Sequence, residues 1–337
     1  MKLRQLANWE GALAGLIVVE ILIFGAINPS MLSLNVLLYS TSDFIYIGIV
    51  ALPLTLVIVS GGMDISLGST IGLSAIAMGV LFKLGLPIEL CMFLTICIGA
   101  LCGLINALLI IYTGVNPLVI TLGTMYLYGG SALLLSGMSG ATGYEGIGGF
   151  PNSFTDIANG MVFGLPFPLF LFIVAIGLLA MILHRSAIGR NLFLIGQNDR
   201  VAKYSGIPIT STLCFAYSMV GICAAISGIL LVSYFGSARS DLGISFLMPA
   251  ITAVVLGGAN IYGGAGSIFG TALAALLVGY MQQGLQMVGV PNQISSALSG
   301  GLLIIVVVAR SIVSHRDVLL DKWSRILSTY QLAKETK

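Results

Sequence analysis

Long runs of apolar residues, separated by short polar segments, make up most of the chain. A run of about 20 apolar residues suffices to cross the hydrocarbon core of a membrane. Ten runs are candidates, near residues 11–27, 44–59, 63–82, 88–111, 117–136, 166–184, 212–234, 247–260, 268–289 and 294–309. They lack the alternation of apolar and polar residues that is typical of barrel strands. The pattern therefore predicts an all-α fold, a polytopic membrane helix bundle of about ten transmembrane helices with short or broken segments.

Glycines mark the places where the predicted helices break. The chain has 43 glycines among its 337 residues, and small residues let helices in a membrane approach one another closely. The span 247–260 is short and ends in a glycine pair, which is typical of a tilted helix or a buried half-helix. Three glycine pairs are candidate hinges: Gly61 and Gly62, Gly257 and Gly258, and Gly263 and Gly264.

Composition excludes a single large soluble domain. Hydrophobic residues make up 58% of the chain and charged residues 8%, whereas soluble proteins carry roughly 25% charged residues. The five cysteines lie in apolar runs without a C-x-x-C pair. We therefore expect buried thiols, and neither a disulfide framework nor a metal site.

The positive charges predict an orientation. Twelve of the 14 Lys and Arg residues precede the first span, lie between the sixth and seventh, or follow the tenth, and only Lys83 and Arg239 lie elsewhere. An even number of spans puts those three regions on one side, and basic residues favour the cytoplasm. We therefore expect both termini to be cytoplasmic, with a transmembrane domain over residues 1–315 and a basic cytoplasmic tail over residues 316–337.

Two loops are long enough to have functions of their own. The outer loop, 137–165, is rich in glycine and suits an ordered lid, a docking surface or a passive connector. The inner loop, 185–211, contains a charged segment at 198–206 that predicts one or two helical turns ended by Gly206. That segment suits a docking element for a soluble partner as well as it suits a solvated loop.

The chain carries no motif of a catalyst. It has no G-x-x-x-x-G-K-[ST], H-E-x-x-H or G-x-S-x-G sequence, and its two histidines, His184 and His315, lie at predicted cytoplasmic helix ends. The carboxylates within or beside the spans are Glu20, Asp43 and Asp64, which are too few for a proton relay, and Asp64 also fits a helix N-cap. We expect no enzymatic activity and an energy source outside the chain. A carrier driven by an ion gradient and a membrane scaffold without transport activity remain alternatives.

Four motifs then occur in order over roughly residues 40–310. They are Ser60–Gly68 (SGGMDISLG), Asn116–Thr124 (NPLVITLGT), the pattern Gly189-Arg190, Asn198, Ala202 and Ser205-Gly206-Ile207, and Val255–Gly258 followed by Gly263–Ser267. The series resembles the permease subunits of bacterial ABC importers of the ribose/xylose type. Four more segments are similar to the permeases of autoinducer-2 (Lsr-type) importers: Tyr39–Asp43, Gly140–Phe150, Ser233–Asp241 and Pro291–Gln293.

The resemblance implies an assembly in the bacterial inner membrane. A homologous second permease, a pair of ATP-binding subunits and a periplasmic solute-binding protein would be the partners, with lipid around the bundle and no nucleic acid. The chain itself would need no cofactor, since the partner subunits bind ATP. The cargo would be a small, neutral, sugar-like solute, either autoinducer-2 or another monosaccharide such as ribose.

The resemblance also implies residue roles. The residues expected to couple to the ATP-binding subunits are Gly189, Arg190, Asn198, Ala202, Ser205 and Gly206. Arg200 and Val201 depart from the family pattern, which often has an acid and an alanine there. Residue chemistry, and not the resemblance, adds two further sets. Neutral hydrogen-bonding groups suit a hydroxylated solute, so candidate residues of the solute path are Ser66, Asn116, Thr121 and Thr124, each of which also fits helix packing or capping. Candidates for docking the periplasmic protein are Glu145, Arg239 and Asp241, of which the last two equally fit a local surface pair.

Overall fold

A computed structural model describes residues 3–141 and 146–291, and beyond them positions 294, 295, 297, 298, 300, 301, 304, 305 and 308. Up to residue 287 the described chain forms these α-helices: α1 Leu3–Ile27, α2 Leu34–Val59, α3 Leu67–Lys83, α4 Ile88–Thr113, α5 Pro117–Met138, α6 Asn152–Asn159, α7 Phe167–Arg185, α8 Ala187–Gln197, α9 Asp199–Tyr204, α10 Ile209–Phe235, α11 Leu247–Leu256 and α12 Ile268–Met287. Two short 3-10 helices, Pro29–Leu32 and Ile244–Phe246, and an antiparallel hairpin of β1 Met161–Val162 and β2 Leu165–Pro166 complete these elements.

The polytopic helical bundle is confirmed, but the predicted ten spans are not all present in the described residues. Seven helices there are long and apolar enough to cross a membrane: α1, α2, α4, α5, α7, α10 and α12. The predicted spans 63–82 and 247–260 become the shorter α3, of 17 residues, and α11, of 10 residues. The predicted span 294–309 and the tail 316–337 lie largely or wholly outside the described residues.

A non-helical loop accounts for the shortness of α3. The preceding helix ends at Val59, and Gly61 then adopts a left-handed φ of 82° that ordinary side chains avoid. Residues 60–66 therefore leave the helix, and α3 restarts at Leu67 with a rise of about 25 Å, less than the roughly 30 Å of a hydrocarbon core. Non-helical backbone at such depth needs protein around it.

The core is built around α2, which is buried without interruption from Phe44 to Val59. It packs against α7, α10, α11 and α12. Helices α4 and α10 lie so close that a Cβ added at Gly103 would stand 2.1 Å from the Tyr217 carbonyl oxygen. Gly99 and Gly103 therefore let these two helices pack backbone to backbone, as expected of small residues in a membrane bundle. The exposed faces of α1 and α5 are rich in Leu, Val and Ile, as expected for a surface in contact with lipid.

The described part of the outer loop is ordered and packed. Its helix α6 buries Phe154 and Ala158 against α10. The Ser233 hydroxyl on α10 donates to the Phe154 carbonyl at 2.6 Å and accepts from the Ala158 N–H at 3.0 Å. A backbone bridge between Ile147 and Ala238 holds the start of this stretch. The described part of this loop is therefore packed over the carboxyl-terminal end of α10.

Candidate functional site

The predicted coupling residues, from Gly189 to Gly206, lie in and just after two short helices, α8 and α9, which together we term the coupling segment. The Ser186 hydroxyl accepts from the Gly189 N–H at 3.2 Å at the start of α8, and the Asn198 side chain accepts from the Val201 N–H at 3.1 Å at the start of α9. Helix α9 ends at Tyr204, and Gly206 follows with a left-handed φ of 76° that prevents its continuation, as expected. The expected helical turns at 198–206 are present, whereas the 11-residue α8 before them has no counterpart in the sequence-based prediction.

The six predicted coupling residues divide into supporting and exposed positions. Gly189 and Ala202 are buried, and a Cβ on Gly189 would stand 2.0 Å from the Leu183 carbonyl oxygen. Arg190, Asn198, Ser205 and Gly206 are exposed. The sequence-based prediction left out Val201 and Tyr204, whose exposed fractions are 59% and 93%. The signal for these two is the presence of large apolar groups in a short charged helix.

Beneath the coupling segment, four glycines from three parts of the chain meet in what we term the glycine junction: Gly61, Gly196, Gly263 and Gly264. A Cβ on Gly196, near the end of α8, would stand 1.9 Å from the Val59 carbonyl oxygen and 2.5 Å from the Gly264 nitrogen. The Gly264 N–H donates to that same Val59 carbonyl at 2.8 Å. The coupling segment therefore rests directly on the backbone at the end of α2 and on the loop between α11 and α12.

The other candidate hinges lie around this junction. Gly62 lies beside the buried Tyr217 hydroxyl. Gly257 ends α11 and packs on the backbone of α12, and Gly258 follows with a φ of 103°. The indole N–H of Trp9 on α1 donates to the Leu256 carbonyl at 2.8 Å, so α1 satisfies the end of this short helix.

A buried polar network fills the space before α3. The Asp64 carboxylate accepts from the Ser66 N–H at 2.8 Å and from the Ser66 hydroxyl at 2.6 Å. The N-cap position of α3 is Ser66, so Asp64 forms a turn before the helix and the N-cap expectation for it was wrong. The Asn106 amide on α4 donates to the Ser66 hydroxyl at 2.8 Å, and Tyr128 on α5 donates to Asn106 at 3.3 Å. These bonds join the loop 60–66 to two neighbouring helices.

The four solute-path candidates all make hydrogen bonds within the bundle. Ser66 belongs to the buried network just described, and Thr121 and Thr124 are buried on α5 with their hydroxyls bonded to backbone carbonyls. Asn116 instead caps α5, accepting from the Leu118 N–H at 2.9 Å. It lines a cavity of about 950 Å³ that also reaches Gly61, Asn198 and Tyr217 on the side of the coupling segment.

At the opposite end, Arg239 and Asp241 form a two-bond ion pair. The Arg239 Nε–H donates to Asp241 Oδ1 at 2.9 Å, and the second guanidinium nitrogen contacts Oδ2. Both side chains are partly exposed. The third docking candidate, Glu145, lies outside the described residues. The docking role of all three stays a prediction.

Comparison with known proteins identifies the class. Residues 36–307 match the family described as branched-chain amino acid transport system / permease component, and the chain belongs to this family. It is 69% identical over 324 residues to an autoinducer 2 import system permease protein LsrD of Salmonella paratyphi A, covering 96% of this chain and 98% of the relative. The corresponding protein of Yersinia pestis (strain Pestoides F) is 68% identical over 321 residues, with 95% and 96% covered. No solved structure matches significantly.

These matches confirm the resemblance found in the sequence motifs, including its narrowing to the D permease of autoinducer-2 importers. The chain is a transport permease and a non-catalytic, multi-pass membrane component. The matches do not assign roles to particular residues.

Proposed function

We propose that this chain is the transmembrane permease subunit of an ATP-binding-cassette importer for autoinducer-2 in the bacterial inner membrane. The observation that carries the proposal is the 69% identity to autoinducer 2 import permeases over 96% of the chain. Identity of this extent over nearly the whole chain covers both the bundle and the coupling segment.

The fuller topology belongs to the same proposal. Ten spans would include the seven long helices, the short α3 and α11, and a last span near residues 294–309. The grouping of basic residues supports cytoplasmic termini and a cytoplasmic position for the loop 185–211. The pair of ATP-binding subunits and the periplasmic solute-binding protein would then contact opposite ends of this chain. A homologous second permease would complete the assembly.

In the mechanism that we propose, the partners hydrolyse ATP and this chain transmits the motion. Closure of the ATP-binding pair displaces α9, whose exposed Val201 and Tyr204 provide apolar contact area. The glycine junction supports this mechanism, because α8 there touches backbone of the loops that begin α3 and α12 without an intervening side chain. A displacement of α8 therefore moves the loop before α3 and the loop before α12 together.

Reconstitution tests this function. The chain, purified with its ATP-binding, second permease and periplasmic subunits and placed in proteoliposomes, is expected to accumulate autoinducer-2 only when ATP is supplied. Accumulation by the purified chain alone, on a proton or sodium gradient, would instead establish a secondary carrier. Uptake of ribose in preference to autoinducer-2 would show that the transported solute is another monosaccharide.

A further inference from the structure

A polar cleft lies at the outer end of the bundle. It consists of two cavities of about 500 and 420 Å³, both lined by Asp43, Tyr234 and Gln283, and we term it the Asp43 cleft. Asp43 lies 16 residues before the end of α2, so it stands about 24 Å above the glycine junction. Tyr234 is in the last turn of α10, a helix that starts beside α9. The cleft is therefore on the side opposite the coupling segment.

The side chains of this cleft differ from those on the faces that meet lipid. Asn35, Tyr39 and Asp43 follow one another at four-residue spacing on α2, and all three are exposed. A carboxylate that faces the lipid interior costs roughly 2.5–3.5 kcal/mol. On α1 and α5 the exposed large side chains are mostly Leu, Val and Ile. The polar face of α2 is therefore suited to a hydrated path.

The cleft offers hydrogen-bonding groups of both kinds. The Tyr234 hydroxyl donates to Asp43 Oδ1 at 2.6 Å, which leaves Oδ2 available as an acceptor. The Gln283 amide lines both cavities and supplies a donor and an acceptor. Phe44 and Phe246 add apolar surface in the smaller cavity. Among the described residues that line the two cavities there is no Lys or Arg.

This combination fits a small hydroxylated solute. Hydroxyl groups donate to a carboxylate and exchange hydrogen bonds with an amide, while C–H surface packs on an aromatic ring. The volumes lie within the range of about 300–1,000 Å³ that is usual for small-molecule sites. The absence of a cationic side chain from the described lining argues against an anionic solute.

We propose that the Asp43 cleft receives the neutral, polyhydroxylated solute at the outer side of the permease, with Asp43 and Gln283 bonding its hydroxyl groups. The inference rests on the proposed import function and gives that function a location. Ser66, Thr121 and Thr124, which the sequence suggested for the solute path, do not line this cleft.

The first test measures ATP-driven uptake of autoinducer-2 by the assembled importer carrying Asp43→Asn. Uptake at solute concentrations well below saturation is expected to fall by about tenfold or more, the loss in binding that follows removal of a hydrogen bond to a charged group. Asp156→Asn is the matched control, since Asp156 is an exposed carboxylate on α6 outside the cleft. That control is expected to stay within about twofold of wild type.

The second test does not depend on uptake by a weakened variant. Gln283→Cys in the assembled importer is treated with a membrane-impermeant thiol reagent, with Asp156→Cys as the control and the unsubstituted chain as the background. Periplasmic protein loaded with autoinducer-2 is expected to slow labelling at position 283 relative to the empty protein. Labelling at position 156 is expected to be equal in both.

The outcomes separate the two proposals. A wild-type importer that takes up no autoinducer-2 overturns the proposed function, and the cleft assignment with it. If wild-type uptake is normal, equal labelling of Gln283→Cys with loaded and empty protein overturns the cleft alone, and so does Asp43→Asn uptake at the wild-type level. If choline slows the labelling of Gln283→Cys and autoinducer-2 does not, the cleft binds cations, and this result also overturns the inference.

Discussion

The two ends of this permease use different parts of the polypeptide. At one end, the coupling segment touches the bundle through the backbone of the glycine junction, and there is no room for a Cβ at Gly196 or Gly263. At the opposite end, the Asp43 cleft is open and is lined by side chains of α2, α10 and α12 together with shorter elements. Backbone contact transmits displacement without loss in flexible side chains, whereas side chains supply chemical selectivity. The difference suggests that force enters at one end and recognition occurs at the other.

The largest effect is expected from Gly196→Ala. A methyl group there overlaps the Val59 carbonyl, so α8 must move away from the junction, at a cost of about 1–3 kcal/mol for overpacking. We expect ATP-driven uptake to fall to near background, with lower retention of the ATP-binding subunit on purification. Gly177→Ala on α7, where nothing lies within 4 Å, is the control. Normal uptake by Gly196→Ala would remove the contrast between the two ends.

A smaller effect is expected from Asp64→Ala, which sharpens the comparison by probing the region between the ends. Loss of the carboxylate leaves the Ser66 N–H and hydroxyl without their buried acceptor, at about 1–3 kcal/mol for an unsatisfied group. The melting temperature of the purified Asp64→Ala complex should drop. That of the Asp64→Asn complex should drop less, because asparagine keeps an acceptor oxygen. Equal melting of both variants would show that the network does not hold α3 in place.

Asn198→Ala should weaken the coupling helix without disturbing the bundle. The substitution removes the cap at the start of α9, which is worth about 0.5–2 kcal/mol to a helix. Uptake is expected to decrease severalfold with an unchanged melting temperature, and Asn198→Asp should restore most of the activity because aspartate also caps. A failure of Asn198→Asp to rescue uptake would show that Asn198 acts by direct contact instead.

The smallest effect is expected at the outer ion pair. Arg239 and Asp241 are partly exposed, and such pairs contribute about 0–1 kcal/mol. Arg239→Ala should leave the melting temperature of the complex nearly unchanged. If the pair docks the periplasmic protein, uptake by this variant becomes less sensitive to salt and needs a higher concentration of that protein. Uptake that depends on both as in the wild type would limit the pair to a local structural role.

Much of the bundle could be predicted from the sequence, because the signal for a membrane helix is local. Each described predicted span coincides with a helix, and Gly206 prevents continuation of α9 as expected from its position after a charged segment. The polar segment at 198–206 was likewise visible as an interruption in an apolar chain.

The sites depend on contacts between distant residues, and these have no local signal. Gly196 is one of 43 glycines in the sequence, and only the fold brings it to Val59 and Gly264. Ser66 and Thr121 looked like groups for a solute because they are polar in an apolar context, yet their hydroxyls are bonded within the bundle. Asp43 was noted as a carboxylate beside a span, but its pairing with Tyr234, 191 residues away, could not be read from spacing.

The shortness of α3 has a consequence for how this protein enters the bilayer during synthesis. The polar groups at its amino end find a partner in Asn106, which is 40 residues later than Ser66 and belongs to the following helix. A nascent chain that ended after α3 would present Asp64 and Ser66 to lipid without that partner. We therefore expect α3 to leave the translocon together with α4 and α5, as one unit, instead of partitioning alone.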